Sequence, residues 1–99
     1  MAGGLGDRVE KTFEVKASVA AGASQAVRNW RSRAMVITGT FSATIVIEGS
    51  TNGSTWLTIW TVTAPGTYEL PDDLAYLRCN TTGYTSGTPE AVCVGWPGA

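Results

Sequence analysis

The amino-acid sequence predicts an all-β fold, a small antiparallel β-sandwich of jelly-roll or immunoglobulin-like type with about seven strands. Three observations support this fold class. Apolar and polar residues alternate along several short segments, as they do in half-buried strands. Turn residues separate these segments at intervals of roughly ten residues. The 99 residues include 12 glycines, and no long segment has the period of a helix.

Length and composition limit the functional classes. Ninety-nine residues suffice for one two-layer domain, which we place at residues 11–99 after an N-terminal arm of residues 1–10. The formal net charge of −1 provides no basic surface for nucleic acid. The sequence has neither a secretory signal nor an apolar run of about 20 residues. We therefore expect a protein made and kept in the cytoplasm, with no nucleic-acid partner and no membrane partner.

The N-terminal arm is the part of the chain that is least like a strand. Residues Met1 to Asp7 are rich in glycine and carry one large apolar side chain, that of Leu5. A segment of this composition is not expected to fold alone in water, so we expect Leu5 to dock on a neighbouring subunit. The alternative is that the arm folds back on its own sheet.

The first predicted strand runs from Lys11 to Val19, because apolar residues alternate there with polar ones. Residues 20–24 are small and predict a loop. Residues 26–33 place Trp30 among three arginines, Arg28, Arg31 and Arg33. Two interpretations have equal support: a cation–π patch that binds an acidic neighbour, or a solvated turn with Trp30 over the edge of the core.

The next predicted strand spans residues 34–39, with Met35 and Ile37 directed to the core. Gly39 is predicted to bend the chain so that one long strand serves two sheets.

The strongest signal is a β-hairpin within Ile37 to Thr63, where two alternating segments flank Asn52-Gly53. A two-residue type I′ turn would produce two mixed faces. A three-residue loop, with Gly53 left-handed in a G1 bulge, pairs Ser50 with Ser54 and separates the faces. One face then carries Phe41, Ala43, Ile45, Ile47, Leu57 and Ile59, and the other carries Thr44, Val46, Glu48, Trp56, Thr58 and Trp60. We prefer the bulged hairpin, because a one-residue slip exchanges the two faces.

Three more strands complete the predicted fold, at residues 67–70, 74–81 and 91–96, with a loop at residues 83–90. Asp72 and Asp73 suit a turn better than a calcium site, since no further oxygen ligands follow at fixed spacing. Cys79 and Cys93 lie on the last two predicted strands. In a reducing compartment we expect buried free thiols, although a disulfide is the alternative if the strands are neighbours.

No catalytic, cofactor or metal site is predicted. Histidine, the most frequent general base, is absent. The two thiols have no activating partner, and the glycines belong to turns rather than to a phosphate loop. We expect a protein that is not an enzyme.

The four tryptophans are the feature that needs explanation. On the preferred hairpin, Trp56 and Trp60 form an exposed apolar patch with Val46, of the kind found at protein interfaces. Two alternatives remain open. The indoles pack against their own chain, or they form a sugar-stacking platform together with Tyr84.

Three motifs in order resemble a known family. They are GSTNGSTW at residues 49–56, YLR at residues 76–78 and GYTSGT at residues 83–88. This set resembles the small β-sandwich domains of tailed-bacteriophage structural proteins over about residues 38–96. The resemblance implies a virion component, and the chain's small size favours a capsid decoration or cement protein over a head–tail, tail or head-fibre component.

The resemblance implies binding to the major capsid protein and to copies of the same chain, within the virion. A carbohydrate-binding module is the alternative from another class. The residues expected to contact a partner are Leu5, Trp30, Arg31, Trp56, Trp60 and Tyr84.

Overall fold

The computed structural model describes residues 8–97 and contains nine strands in that range. Their bounds are β1 Val9–Phe13, β2 Ala20–Ala21, β3 Gln25–Ala26, β4 Trp30–Thr38, β5 Phe41–Ser50, β6 Leu57–Val62, β7 Gly66–Glu69, β8 Tyr76–Gly87 and β9 Glu90–Pro97. The strands form two antiparallel sheets. Sheet A has the order β1-β9-β4-β7, and sheet B has the order β2-β8-β5-β6, with β3 also paired to β8. The predicted antiparallel β-sandwich is confirmed, with nine strands instead of about seven.

The sandwich is one four-stranded antiparallel sheet folded in half. The chain runs from β4 directly into β5, and later from β8 directly into β9. β4 pairs with β9 in sheet A, and β5 continues the same pairing with β8 in sheet B. On one side of this pair, β7 pairs with β4 in sheet A and β6 pairs with β5 in sheet B. On the other side, β1 pairs with β9 in sheet A, and β2 and β3 pair with β8 in sheet B. Every long segment therefore contributes to both layers.

Glycines permit the fold at the two central corners. Gly39 lies between β4 and β5 with φ +101°, and Gly87 ends β8 with φ +97°. A Cβ at Gly39 would lie 2.5 Å from the Thr88 carbonyl oxygen, and one at Gly87 would lie 2.3 Å from the Thr40 carbonyl oxygen. The Thr88 amide donates to that Thr40 oxygen at 3.2 Å and joins the two corners. The prediction that Gly39 bends one long strand into both sheets is confirmed.

The core lies between the two halves of the folded sheet. Met35 and Ile37 from β4 face Ile45 and Ile47 from β5, and all four are at most 1% exposed. The other members of the core cluster are Phe13, Val27, Val62, Leu70, Leu74, Leu77, Cys79, Ala91 and Cys93. Fully burying one large aliphatic side chain contributes about 1.5–3 kcal/mol, so this cluster is the main source of stability.

Several strand boundaries differ from the prediction. β1 ends at Phe13 because the chain then crosses from sheet A to sheet B, and Val19 is 67% exposed rather than part of the core face. β1 begins at Val9, so residues 9 and 10 lie in the sheet. β8 continues to Gly87, through most of the predicted loop at residues 83–90. Its pairing with β5 sustains this extension, since Phe41 is opposite Gly87.

The predicted three-residue hairpin loop is wrong. Gly49 pairs with Leu57, which leaves a six-residue connection, Thr51 to Trp56. The buried Ser50 hydroxyl accepts hydrogen bonds from the amides of Asn52 and Gly53, at 3.2 and 2.8 Å. The Asn52 side-chain oxygen accepts from two further amides, those of Ser54 and Thr55. These side-chain bonds close a wider loop than the one predicted, although the positive φ expected at Gly53 is present, at +80°.

The altered register changes the predicted faces of the hairpin. Ile45 and Ile47 are buried as expected, and the half-buried Ile59 packs against the core cluster. Leu57 was expected in the core but is 58% exposed. Val46 was expected in an exposed patch, but it is only 9% exposed.

Candidate functional site

The structure distributes the residues predicted to bind a partner over separate surfaces. Leu5 lies outside the described residues. Trp30 is half-buried at the edge of the core, where a Cβ added to Gly95 would lie 3.3 Å from its ring. Lys11, and none of the three neighbouring arginines, is placed over that ring, at 5.6 Å from the centroid. Trp30 thus matches the interpretation in which it covers the edge of the core.

The three arginines near Trp30 have three different environments. Arg28 stacks on the Tyr76 ring at 5.1 Å and donates to its hydroxyl. Arg31 is exposed on β4 and is paired with Trp96. Arg33 is buried, with 3% exposure. They do not form the predicted cation–π cluster around Trp30.

Arg33 is the buried charge that the sequence interpretation missed. Its guanidinium donates to four backbone carbonyl oxygens, those of Val27, Trp30, Pro71 and Leu74, at 2.6–3.1 Å. A β-bulge lies just before Arg33. It is marked by a φ of +52° at Ser32 and by a register shift between Arg31 and Ala34. Arg33 therefore joins the start of β4 to the loops on either side of it, a structural role.

Trp56 lies in a polar ladder on the outer face of sheet B. The Arg78 guanidinium is 4.3 Å from the centroid of the Trp56 ring and donates to Glu48 at 2.6 Å. Asn80 donates to the other oxygen of the same carboxylate at 3.3 Å. The ladder is partly buried and its charges compensate each other, so it presents a half-buried indole rather than an apolar patch.

Trp60 links the two sheets on the side where β6 and β7 lie. Its indole nitrogen donates to the Glu69 carbonyl oxygen at 2.6 Å, across the gap between β6 of sheet B and β7 of sheet A. Its ring meets the Tyr68 ring edge to face, with centroids 5.4 Å apart. Trp60 is still 41% exposed. The prediction that Trp60 shares an outer face with Trp56 is wrong, because Trp60 is directed along the edge.

Tyr84 lies at a third place. Its hydroxyl donates to the carbonyl oxygen of Gly87 at 2.7 Å, beside the corner between β8 and β9. It lines a shallow depression of about 370 Å³ together with Phe41 and Thr44. Since Trp56, Trp60 and Tyr84 have separate contacts, the structure does not assemble them into the sugar platform that the sequence suggested.

The outer face of sheet A carries a surface that the sequence interpretation missed. Val36 on β4 pairs with Val92 on β9, and Val94 and Trp96 continue the same face of β9. We call these four residues the outer strip. The valines are half-buried and Trp96 is 42% exposed. The signal was present in AVCVGW, residues 91–96, where both alternating sets of side chains are apolar and a core supplies a partner for only one of them.

The outer strip is bordered by charge at one side. Arg8 and Glu10 form an exposed salt bridge of 3.0 Å and line a groove of about 370 Å³ with Val36, Val92 and Val94. A half-exposed apolar strip with a polar rim is typical of an interaction surface.

The two thiols are not candidate nucleophiles. Cys79 on β8 and Cys93 on β9 are free, fully buried and in opposite sheets. Burial raises the pKa of Cys79 to about 12, and the Cys93 thiol adds to this rise. Burial also raises the pKa of Cys93 to about 11, although Arg33 and Lys11 act in the opposite direction. The thiolate is the reactive form, so both groups are inert near neutral pH.

Residues 8–97 contain no cluster of His, Cys, Asp and Glu side chains with the geometry of a metal site. In the same range no helix is long and apolar enough to cross a membrane.

Comparison with known proteins identifies a fold relative. No protein-family model and no curated protein matches the sequence. The structure is similar to the crystal structure of the SPBc2 prophage-derived protein YomS, with a TM-score of 0.68. The superposition covers 90% of this chain and 92% of that chain at 12% sequence identity. At this identity the similarity establishes the shared fold and nothing about a shared site.

Proposed function

We propose that the protein is a non-enzymatic structural component of a bacteriophage particle, and within that class a capsid decoration protein. The observation that carries the proposal is the match with a prophage-derived protein along nearly the whole of both chains. The ordered motifs at residues 49–56, 76–78 and 83–88 support it independently, because they resemble those of phage structural domains. The partners would be the major capsid protein and copies of this chain.

The outer strip is the surface that we propose for the capsid. It combines three half-buried valines with an exposed indole, and aromatic anchors contribute much of the binding energy at protein interfaces. Arg31 is the cross-strand partner of Trp96 and extends this surface with an exposed guanidinium. A decoration protein of this kind would stabilise the lattice through buried area alone, with a standard interface of about 1,600 Å².

The composition of purified particles tests the proposed class. Particles of the phage that encodes this chain would be purified on a density gradient and quantified by peptide mass spectrometry. We expect copies comparable in number to the major capsid protein, retained in tailless heads. A few copies found only with tails would favour a tail component, and absence from the particles would refute the virion role.

A binding assay tests the proposed surface. Trp96→Ala should weaken binding to particles that lack the protein by about tenfold or more, as expected for an aromatic anchor. The matched control is Val19→Ala, another exposed apolar residue, at 67% exposure but away from sheet A. Equal binding by both variants and the native chain would exclude the outer strip.

Removal of residues 1–7 should also weaken particle binding while the sandwich stays folded, as circular dichroism would report.

A glycan array tests the alternative carbohydrate function with the free protein. We expect no binding, since the three aromatics proposed for a platform have separate contacts. Saturable binding to one polysaccharide, lost in Trp56→Ala, would favour the carbohydrate module over the decoration protein.

A further inference from the structure

Four sheet edges are open in this folded sandwich, and three of them carry features that prevent edge-to-edge pairing. β1 contains Glu10 and Lys11 and is preceded by Arg8. β2 and β3 are two residues long each. β7 has four residues, follows closely after Pro65 and ends at Glu69. Charge, proline and short length are the usual means by which proteins protect their sheet edges.

The fourth edge, β6, has none of these features. Its six residues, LTIWTV, contain no charge and no proline, and no charged residue occurs from Gly49 to Tyr68. β-Branched and aromatic residues dominate it, so it is a strong strand former. Leu57, Thr58, Trp60 and Thr61 are exposed. In the described range β6 pairs with β5 alone, so its outward backbone groups have no strand partner there.

A bulge at Ile59 limits where β6 can pair. Glu48 is opposite Thr58 and Ile47 is opposite Trp60, which leaves Ile59 without a partner on β5. From Trp60 to Val62 the ladder with β5 is regular again. A strand that adds to this edge can therefore form a regular ladder of backbone hydrogen bonds beside Thr61.

We propose that β6 is a self-association edge, at which the β6 strands of two copies pair antiparallel about a two-fold axis next to Thr61. The partner must be an extended strand, because backbone N–H and C=O groups are what the edge presents. A second copy of the chain fits this edge, because two uncharged β6 strands do not repel each other. Antiparallel pairing of two identical edge strands is also a closed arrangement, which stops at a dimer. Sheet B would then continue across the dimer. This interface deepens the proposed association of the chain with its own copies and leaves the outer strip free.

The test uses the free protein without particles, so its failure is separate from failure of the virion role. Sedimentation equilibrium over a range of protein concentrations should show a monomer–dimer equilibrium for the native chain. Thr61→Lys should raise the dissociation constant at least about tenfold, because two like charges then meet near the axis. The matched control is Thr67→Lys, an exposed threonine on the edge strand β7, which should leave the constant unchanged.

A charge-swap experiment protects the test against a general folding defect. Thr61→Glu should raise the dissociation constant to a similar extent, whereas an equimolar mixture of the lysine and glutamate variants should restore dimer formation. Hydrogen exchange should show β6 amides slowed as concentration rises. A native chain that is monomeric at all concentrations, or a Thr61→Lys dimer with the native dissociation constant, would overturn the proposal. So would loss of the dimer in Thr67→Lys, or a mixture that fails to associate.

Discussion

The buried guanidinium of Arg33 is the residue on which local structure depends most. It is 3% exposed, and in residues 8–97 no carboxylate lies within ion-pair distance of it. Four carbonyl oxygens solvate the charge in place of water. The sequence did not predict this, because an arginine between Ser32 and Ala34 looks the same in a solvated turn. Only the bulge at Ser32 directs it inward.

Replacement of Arg33 by methionine keeps much of the volume and removes the donors. Four carbonyl groups would then lose a buried hydrogen bond, and the expected loss of unfolding free energy is roughly 3 kcal/mol or more. Urea denaturation followed by tryptophan fluorescence measures it. Arg31→Met is the matched control, since its side chain is exposed, and should change stability by no more than about 0.5 kcal/mol. Similar losses in both variants would show that the four hydrogen bonds contribute little.

The buried thiols predict an alkaline loss of stability. Burial raises the pKa of Cys79 to about 12 and that of Cys93 to about 11, from 9.0. Above pH 9 the unfolded chain releases protons that the folded chain retains, so the unfolding free energy falls as pH rises. The loss begins near pH 9 and is complete once the folded thiols titrate, with a slope of up to about 1.4 kcal/mol per pH unit for each thiol. Denaturant melts between pH 7 and 10.5 measure it, and Cys79→Ala should flatten the slope. An equally steep slope in that variant would show that other titrating groups cause the alkaline loss of stability.

At the scale of elements, hydrophobic alternation predicted the existence of the main strands better than their ends. Met35, Ile37, Ile45 and Ile47 are core residues as expected. The hairpin loop was missed because Ser50 and Asn52 form a network with four backbone amides, and side-chain hydrogen bonds of this kind leave no periodic signal. The position of Trp60 was missed for the related reason that its partner, Glu69, belongs to the opposite sheet.

The loop network predicts different effects for two substitutions. Ser50→Ala removes an acceptor shared by two amides and should cost about 1–3 kcal/mol. Gly53→Ala should cost on the order of 1 kcal/mol, because φ is +80° while the nearest atoms to a new Cβ, on the Tyr76 ring, are 3.7 Å away. Thermal melts compare the two, with the exposed loop residue Thr55→Ala as control. A Gly53→Ala chain as stable as the control would contradict the assigned backbone conformation.

At the scale of the whole molecule, alternation and turn spacing predicted a sandwich, and Gly39 predicted one strand shared by both sheets, but the sequence did not show that all the long segments fold over in the same way. Pairing between β4 and β9 and between β5 and β8 joins residues that are at least 26 positions apart in the chain, from Ser50 with Tyr76 upward, and local patterns do not report such contacts. The outer strip illustrates the same limit. Alternation shows that both faces of β9 are apolar, and only the topology shows which face the core covers.

The folded-sheet topology predicts that the two layers unfold together. Met35→Ala in sheet A and Ile47→Ala in sheet B both truncate fully buried side chains, and each should lower the unfolding free energy by roughly 2–5 kcal/mol. Each long segment passes through both layers, so neither layer retains its pairing when the other opens. Native-state hydrogen exchange under mild denaturant measures this directly. Either substitution should reduce protection of the central amides of β4, β5, β8 and β9 by the same free energy. If Met35→Ala lowered protection in β4 and β9 alone, the layers would be separate cooperative units despite their shared strands.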